Sequence, residues 1–166
     1  MKTGITAKRL RNLLAYDATT GIFVWRVTRS RKAPAGAVAG YVNQSGYRHI
    51  IVDGEEYKAH RLAWLHVTGK WARKRIDHAD GDLNNNRFSN LREATHSQNL
   101  ANSRLRRDNK VGLKGVCQER TTGRWMANIN KDGRRHYLGL FDSPEEAHAA
   151  YCDAAARLHG EFARAA

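Results

Sequence analysis

Side chains in one polar stretch have the types and spacing to hold a metal ion and to activate water beside a bound phosphate. Asp77 and His78 end a short apolar run, Asn90 follows twelve residues after His78, and Asn99 nine after that. They lie within 76–103, IDHADGDLNNNRFSNLREATHSQNLANS, where apolar content falls and short polar residues crowd together. The Asp77 carboxylate and the Asn99 amide are two oxygen ligands suited to one hard divalent cation, Mg²⁺ or Mn²⁺. Water and phosphate oxygens would fill its remaining positions. The neighbouring His78, an imidazole with a reference pKa of about 6.5, is then available as the general base that deprotonates water.

Such a site needs elements that bring distant residues together. Asp77 and His78 close a β run, and Thr95 with Gln98 is the capping signal of a helix carrying Asn99 on its first turns. Two strands and a crossing helix could then join Asp77 to Asn99. Upstream, Leu10, Leu13 and Leu14 behind Thr6 predict a short helix over 6–15, and IFVWRV predicts a strand over 22–27. A loop rich in Arg, Lys, Ala and Gly over 28–40 could track phosphates or simply be mobile. Strands over 47–52 and 55–60 flank Asp53-Gly54, a pair that supplies the positive φ of a tight hairpin turn. A helix from Arg61 follows, with Leu62, Trp64 and Leu65 on its apolar side and Gly69 as its stop.

A compact second unit begins near Gly115. WMANI and HYLGLF read as strands around Lys131-Asp132-Gly133, and Ser143 and Pro144 open a long Ala-rich helix. Strand alternation turns Trp125, Ala127 and Ile129 toward that helix and leaves Arg124, Met126, Asn128 and Asn130 on the open face. The fold class expected is α+β, with a three-stranded antiparallel sheet packed on one helix at the carboxy-terminal end.

Charge restricts the partners. The 166 residues hold 29 Lys plus Arg against 16 Asp plus Glu, a formal charge of +13. Residues 1–75 carry a net +11, 111–141 a net +4 and 142–166 a net −3. That polarity is the footprint of a polyanion binder, since each neutralised phosphate releases condensed counterions. No apolar window approaches the roughly 18 residues of a membrane span, and no cleavable leader pattern opens the chain. A soluble, cytoplasmic, unsecreted monomer with no membrane contact and no obligatory protein partner is the expectation. Cys117 and Cys152 form no CxxC pair, which excludes a readable zinc ribbon or disulfide framework. Both are expected reduced and at least half buried.

The polar stretch resembles the HNH nuclease motif, in its phage-type form HRLxW, IDHxxGDxxNNRxxNLRxAT and QNxxN. The matching stretches are His60-Arg61-Leu62-Ala63-Trp64, 76–95 and Gln98-Asn99-Leu100-Ala101-Asn102. The resemblance implies a ββα-metal core at about 60–104 within an amino-terminal domain spanning 1–104. It implies one divalent metal per site held by Asp77 and Asn99, His78 as the water-activating base, and Asn90 pinning the loop that positions His78. Hydrolysis would leave 5′ phosphate and 3′ hydroxyl ends. Arg61 is a candidate phosphate contact, whereas His60 reads as structural. Asp80-Gly81-Asp82 has calcium-loop residue types, but Asn85 stands where such a loop needs glycine and Leu91 where it needs glutamate. Asn84, Asn85 and Asn86 read as turn formers.

Beyond a basic linker at 105–112, residues 113–166 resemble the Apetala-two/ethylene-response-factor DNA-binding domain. Gly115-Val116, Trp125-Met126-Ala127-Asn128-Ile129, Tyr137-Leu138-Gly139-Leu140-Phe141 and Ala150-Tyr151-Cys152-Asp153-Ala154-Ala155 carry the likeness. By family position Lys114, Arg124, Asn128, Asn130, Arg135 and Tyr137 are the implied contacts to double-stranded DNA. Cys117 and Glu119 depart from plant members, which carry arginines there. Together the two resemblances imply a homing-type or phage nicking endonuclease. The rival reading is a sequence-specific regulator on a spent nuclease scaffold.

Overall fold

The computed structural model describes residues 4–106 and 108–164 and divides into two units, Met1–Glu93 and Ala94–Ala166. Helices mix with small antiparallel sheets, an α+β fold. Among the described residues no helix is long and apolar enough to cross a membrane.

The first unit starts with α1 (Ala7–Leu13), capped by Thr6, whose hydroxyl accepts from the Arg9 N–H. The chain leaves the helix at Leu14 and becomes β1 (Leu14–Asp17), paired antiparallel with β2 (Ile22–Trp25). The turn between them is set by Asp17, whose carboxylate accepts from the N–H and hydroxyl of Thr19 and the hydroxyl of Thr20. Those bonds hold its pKa down to about 2. Next come β3 (Tyr41–Val42), β4 (Arg48–Val52) and β5 (Glu55–Lys58), a three-stranded sheet in that order. Asp53 and Gly54 take φ of 51° and 81° in the β4–β5 turn. Then α2 (Ala59–Thr68) ends at Gly69 in the left-handed region. One apolar core collects Leu10, Leu13 and Leu14 with Phe23, Ile50, Val52, Leu62 and Leu65. β6 (Arg75–His78) pairs with β7 (Leu91–Ala94), and the polar loop between them runs outside this core.

The second unit holds α3 (His96–Ala101), β8 (Val116–Gln118), β9 (Trp125–Lys131), β10 (Arg134–Phe141) and α4 (Pro144–His159). β9 is the central strand, antiparallel to β8 and β10, and α4 packs on one sheet face through Ala147, Tyr151, Ala154 and Ala155. Small side chains on α4 let helix and sheet approach closely. At Gly115, with φ of 78°, an added Cβ would lie 2.0 Å from the Tyr151 ring, so only glycine fits beneath that aromatic. Cys117 is exposed, against the expectation of half burial, because its strand turns it to the face opposite Val116, the side away from α4.

Candidate functional site

The β6–β7 ladder puts Asp77 and His78 at the carboxyl end of β6, 6% and 2% exposed. Arg92, on the partner strand, donates from Nε to Asp77 Oδ2 at 3.0 Å, and its Nη2 completes an ion pair with the same oxygen at 3.0 Å. The loop returning from His78 folds on itself through aspartate and asparagine side chains. Asp80 accepts from the Asp82 N–H, and Asp82 from the Asn84 N–H, successive Asx turns. Asn90 spans the loop: its Oδ1 accepts from the Asp80 N–H, its Nδ2 donates to Asp80 Oδ1 and to the Asn85 carbonyl, and its carbonyl accepts from the Ala79 N–H.

Asn86 is the residue that sequence alone did not single out. It is 1% exposed, and its Oδ1 lies 3.3 Å from His78 Nε2. Its amide is oriented because Nδ2 donates to the Asn84 carbonyl, and its own carbonyl accepts from the Tyr16 hydroxyl at 2.6 Å. An amide oxygen facing Nε2 favours the tautomer with its proton there, which puts the lone pair of the neutral ring on Nδ1. The β1–β2 turn braces this loop. The Phe88 N–H donates to the Ala18 carbonyl, and a Cβ on Gly21 would come within 2.5 Å of the Asn86–Arg87 backbone. Burial pushes the His78 pKa below its ordinary value, although the Asn86 contact and the carboxylates of Asp80, Asp77 and Asp82 pull the other way. A neutral, oriented imidazole is the state a general base must hold.

His60 stands edge-on to His78 with ring centroids 4.9 Å apart, and Tyr47 tilts against both rings. Burial, followed by the charges of His78 and Lys58, lowers the His60 pKa to about 3. Folding therefore favours neutral His60. As pH falls below about 6.5 the unfolded chain takes the proton first, and stability declines until about pH 3. Between pH 7 and 4 this group alone costs about 3 kcal/mol, or about 15 °C in melting temperature for a unit of this size. Melting curves of the parent and His60→Phe should diverge by that amount across this range; parallel curves would remove His60 as the cause.

Asp77 supplies an anionic oxygen and Asn99, on the first turn of α3, an amide oxygen. Among the described residues no three His, Cys, Asp or Glu side chains are grouped for a metal. A hard cation at the Asp77 carboxylate would draw the rest of its shell from amide, water and phosphate oxygens. Arg61 is exposed, its guanidinium 5.5 Å above the Trp71 ring.

In the second unit, strand register lines up the open face. Asn130 pairs with Arg135, Asn128 with Tyr137 and Met126 with Cys117, while the alternate residues Ala127 and Ile129 are buried. Tyr137 is 60% exposed. Arg124 flanks this row, and its Nε donates to the exposed Asp142 carboxylate at 2.9 Å. An exposed pair of that kind is worth under about 1 kcal/mol, so a phosphate could displace it. The Lys114 ammonium is turned inward onto the carbonyls of Ala101, Ser103 and Arg164, and burial, then the Arg164 charge, lowers its pKa to about 8. Glu119 is also occupied, accepting from the Thr121 and Thr122 N–H groups, which hold its pKa near 2.

Comparison with known proteins finds two family matches in chain order, the HNH endonuclease family over residues 57–101 and the AP2 domain over 111–161. Protein 3.8 of Escherichia phage T7 is 33% identical over 89 residues, covering 54% of this chain and 73% of that protein. An uncharacterized HNH endonuclease of Acanthamoeba polyphaga mimivirus is 32% identical over 125 residues, 74% of this chain and 64% of the relative. An ethylene-responsive transcription factor of Arabidopsis thaliana is 51% identical over 55 residues, 32% of this chain and 21% of the plant protein. The chain thus spans less than two thirds of the last two.

Proposed function

Because this chain belongs to the HNH endonuclease family and carries an AP2 domain behind its HNH segment, we propose that it is a divalent-metal-dependent endonuclease of double-stranded DNA. The observation that carries this reading is His78: buried, held neutral, its Nε2 facing the oriented Asn86 amide and its neighbour Asp77 tied by Arg92. His78 Nδ1 takes the proton of the attacking water. Asn86 fixes the ring's tautomer, and Asn90 holds the loop between them. Asp77 and Asn99 would hold the cation, Mg²⁺ or Mn²⁺, one per site. Such an ion supplies stabilisation of charge developing on the phosphate and the departing 3′ oxygen.

Functionally, the nuclease part reaches about residue 104, a basic linker covers 105–112, and the sheet domain from 113 reads duplex DNA. Asn128, Asn130, Arg135 and Tyr137 would reach base edges or phosphates from one face, with Arg124 beside them and Arg61 contributing in the first unit. One such site per chain makes the monomer a nicking enzyme. Relatives in a phage and a giant virus favour a viral or mobile-element setting, including intron homing.

Supercoiled plasmid incubated with Mg²⁺ or Mn²⁺, in parallel with EDTA, tests the reading. Nicked circles are expected with metal and none with EDTA. Intact plasmid in every lane, together with tight salt-sensitive duplex binding, would transfer the assignment to a DNA-binding regulator.

A further inference from the structure

Residues 18–52 contain five Arg or Lys and not one Asp or Glu. The acids at either end of this span are occupied. Asp17 is bonded into its own turn, and the exposed Asp53 accepts from both Arg9 and Arg29. Inside the span, 25–37 is an ordered excursion. Its two arms are joined by Trp25 N–H to the Ala37 carbonyl, Gly36 N–H to the Trp25 carbonyl, Ala35 N–H to the Thr28 hydroxyl, and Arg29 N–H to the Ala33 carbonyl. Ser30 and Ala33 bridge across the tip, and a 3.0 Å bond from the Ala33 N–H to the Ser30 carbonyl closes it around Arg31 and Lys32.

The base of the excursion is anchored. Trp25 belongs to the core of the first unit, Ala33 and Ala37 pack against that core, and the Arg26 N–H donates to the Leu13 carbonyl. Arg29 lies 5.8 Å above the Trp25 ring and 3.3 Å from Asp53. One arm, Ala33-Pro34-Ala35-Gly36-Ala37, carries only small side chains and stays slim. The tip, by contrast, holds two adjacent exposed cations in a segment with no anion of its own. Two exposed like charges at a closed turn gain nothing from each other, whereas a polyphosphate backbone relieves their repulsion and releases counterions.

We propose that residues 25–37 form a phosphate-gripping finger whose tip, Arg31 and Lys32, docks on the backbone of duplex DNA. This rests on the reading of the chain as a DNA enzyme and adds a contact outside both its active site and its sheet domain. A phosphate contact carries no sequence information, so the finger adds affinity equally for every duplex.

The test is the salt dependence of affinity for a non-specific duplex, measured on the full chain and on Arg31→Ala/Lys32→Ala. Two lost phosphate contacts lower the slope of log K against log salt by about 1.8, which is about 60-fold in affinity at 0.1 M salt. Arg31→Lys should keep the parent slope, and the double variant should keep the parent melting temperature because both side chains are exposed. A double variant that binds with the parent slope would overturn the finger alone. A parent without salt-sensitive duplex binding would overturn the DNA reading and the finger with it.

Discussion

Replacing His78 with alanine is expected to slow strand cleavage by about 10³-fold, with duplex affinity unchanged. That factor corresponds to about 4 kcal/mol of transition-state stabilisation. It is larger than a packing defect at this position would give, because the ring does more than fill space. Burial disfavours its protonation, and Asn86 Oδ1, 3.3 Å from Nε2, favours the tautomer whose Nδ1 would accept a proton. The proposed phosphate contacts lie elsewhere, so binding measured by gel shift or anisotropy should not move. Gln in place of His78 should cut as poorly as Ala, since an amide retains hydrogen bonding but has no basic nitrogen. Cleavage by His78→Ala at the parent rate would remove the base from the mechanism.

Much of the scaffold around this residue was legible because its signals are local. The Asp53-Gly54 turn, the Thr95–Gln98 capping box, the Gly69 stop and the Ser143-Pro144 helix start each depend on residues within a few positions of one another. The strands of the carboxy-terminal sheet were visible for the same reason, in their alternation. The parts that escaped are non-local. Leu13-Leu14-Ala15 has helical spacing, yet the chain turns extended at Leu14 because pairing with Trp25 and Val24 and burial against Phe23 outweigh a further helical turn. That exchange creates β1, and its hairpin braces the loop holding Asn86.

The site shows the same limit. Asn84, Asn85 and Asn86 are chemically identical in sequence, and only the fold separates two turn formers from the one facing His78. Arg92 reads as one more basic residue until β6 and β7 pair. Lys114 occupies a family contact position, but three carbonyls that converge only in the folded chain claim its ammonium. The run over 28–40 left two readings open, a phosphate-tracking loop or a mobile one. Backbone bonds between residues up to twelve apart decide for order, since Trp25 reaches Ala37.

Arg92→Met should be the most destabilising single change in the first unit's polar layer. The side chains of Asp77 and Arg92 are 7% and 18% exposed, so water screens their 3.0 Å contact poorly. Methionine keeps the apolar stem but leaves the Asp77 carboxylate without this guanidinium in a nearly dry site. Removing one partner of a pair at such depth costs about 3 kcal/mol, roughly 15 °C in melting temperature for a unit of this size. Arg92→Met/Asp77→Asn should recover more than half of that loss, because the penalty comes from the carboxylate's lost counter-charge rather than from missing volume. Two effects on metal affinity then oppose each other in Arg92→Met. Loss of a neighbouring cation favours Mg²⁺ electrostatically, whereas loss of the bond and ion pair that aim the carboxylate disfavours it. Orientation should prevail, since removing a group that orients a ligand typically costs about 10- to 100-fold in metal affinity. The folded variant, assayed well below its melting temperature, should therefore need more Mg²⁺ for half-maximal nicking. An unchanged metal requirement in a destabilised variant would make Arg92 a purely structural partner of Asp77. Full stability in Arg92→Met would mean that the pair contributes little net energy to the fold.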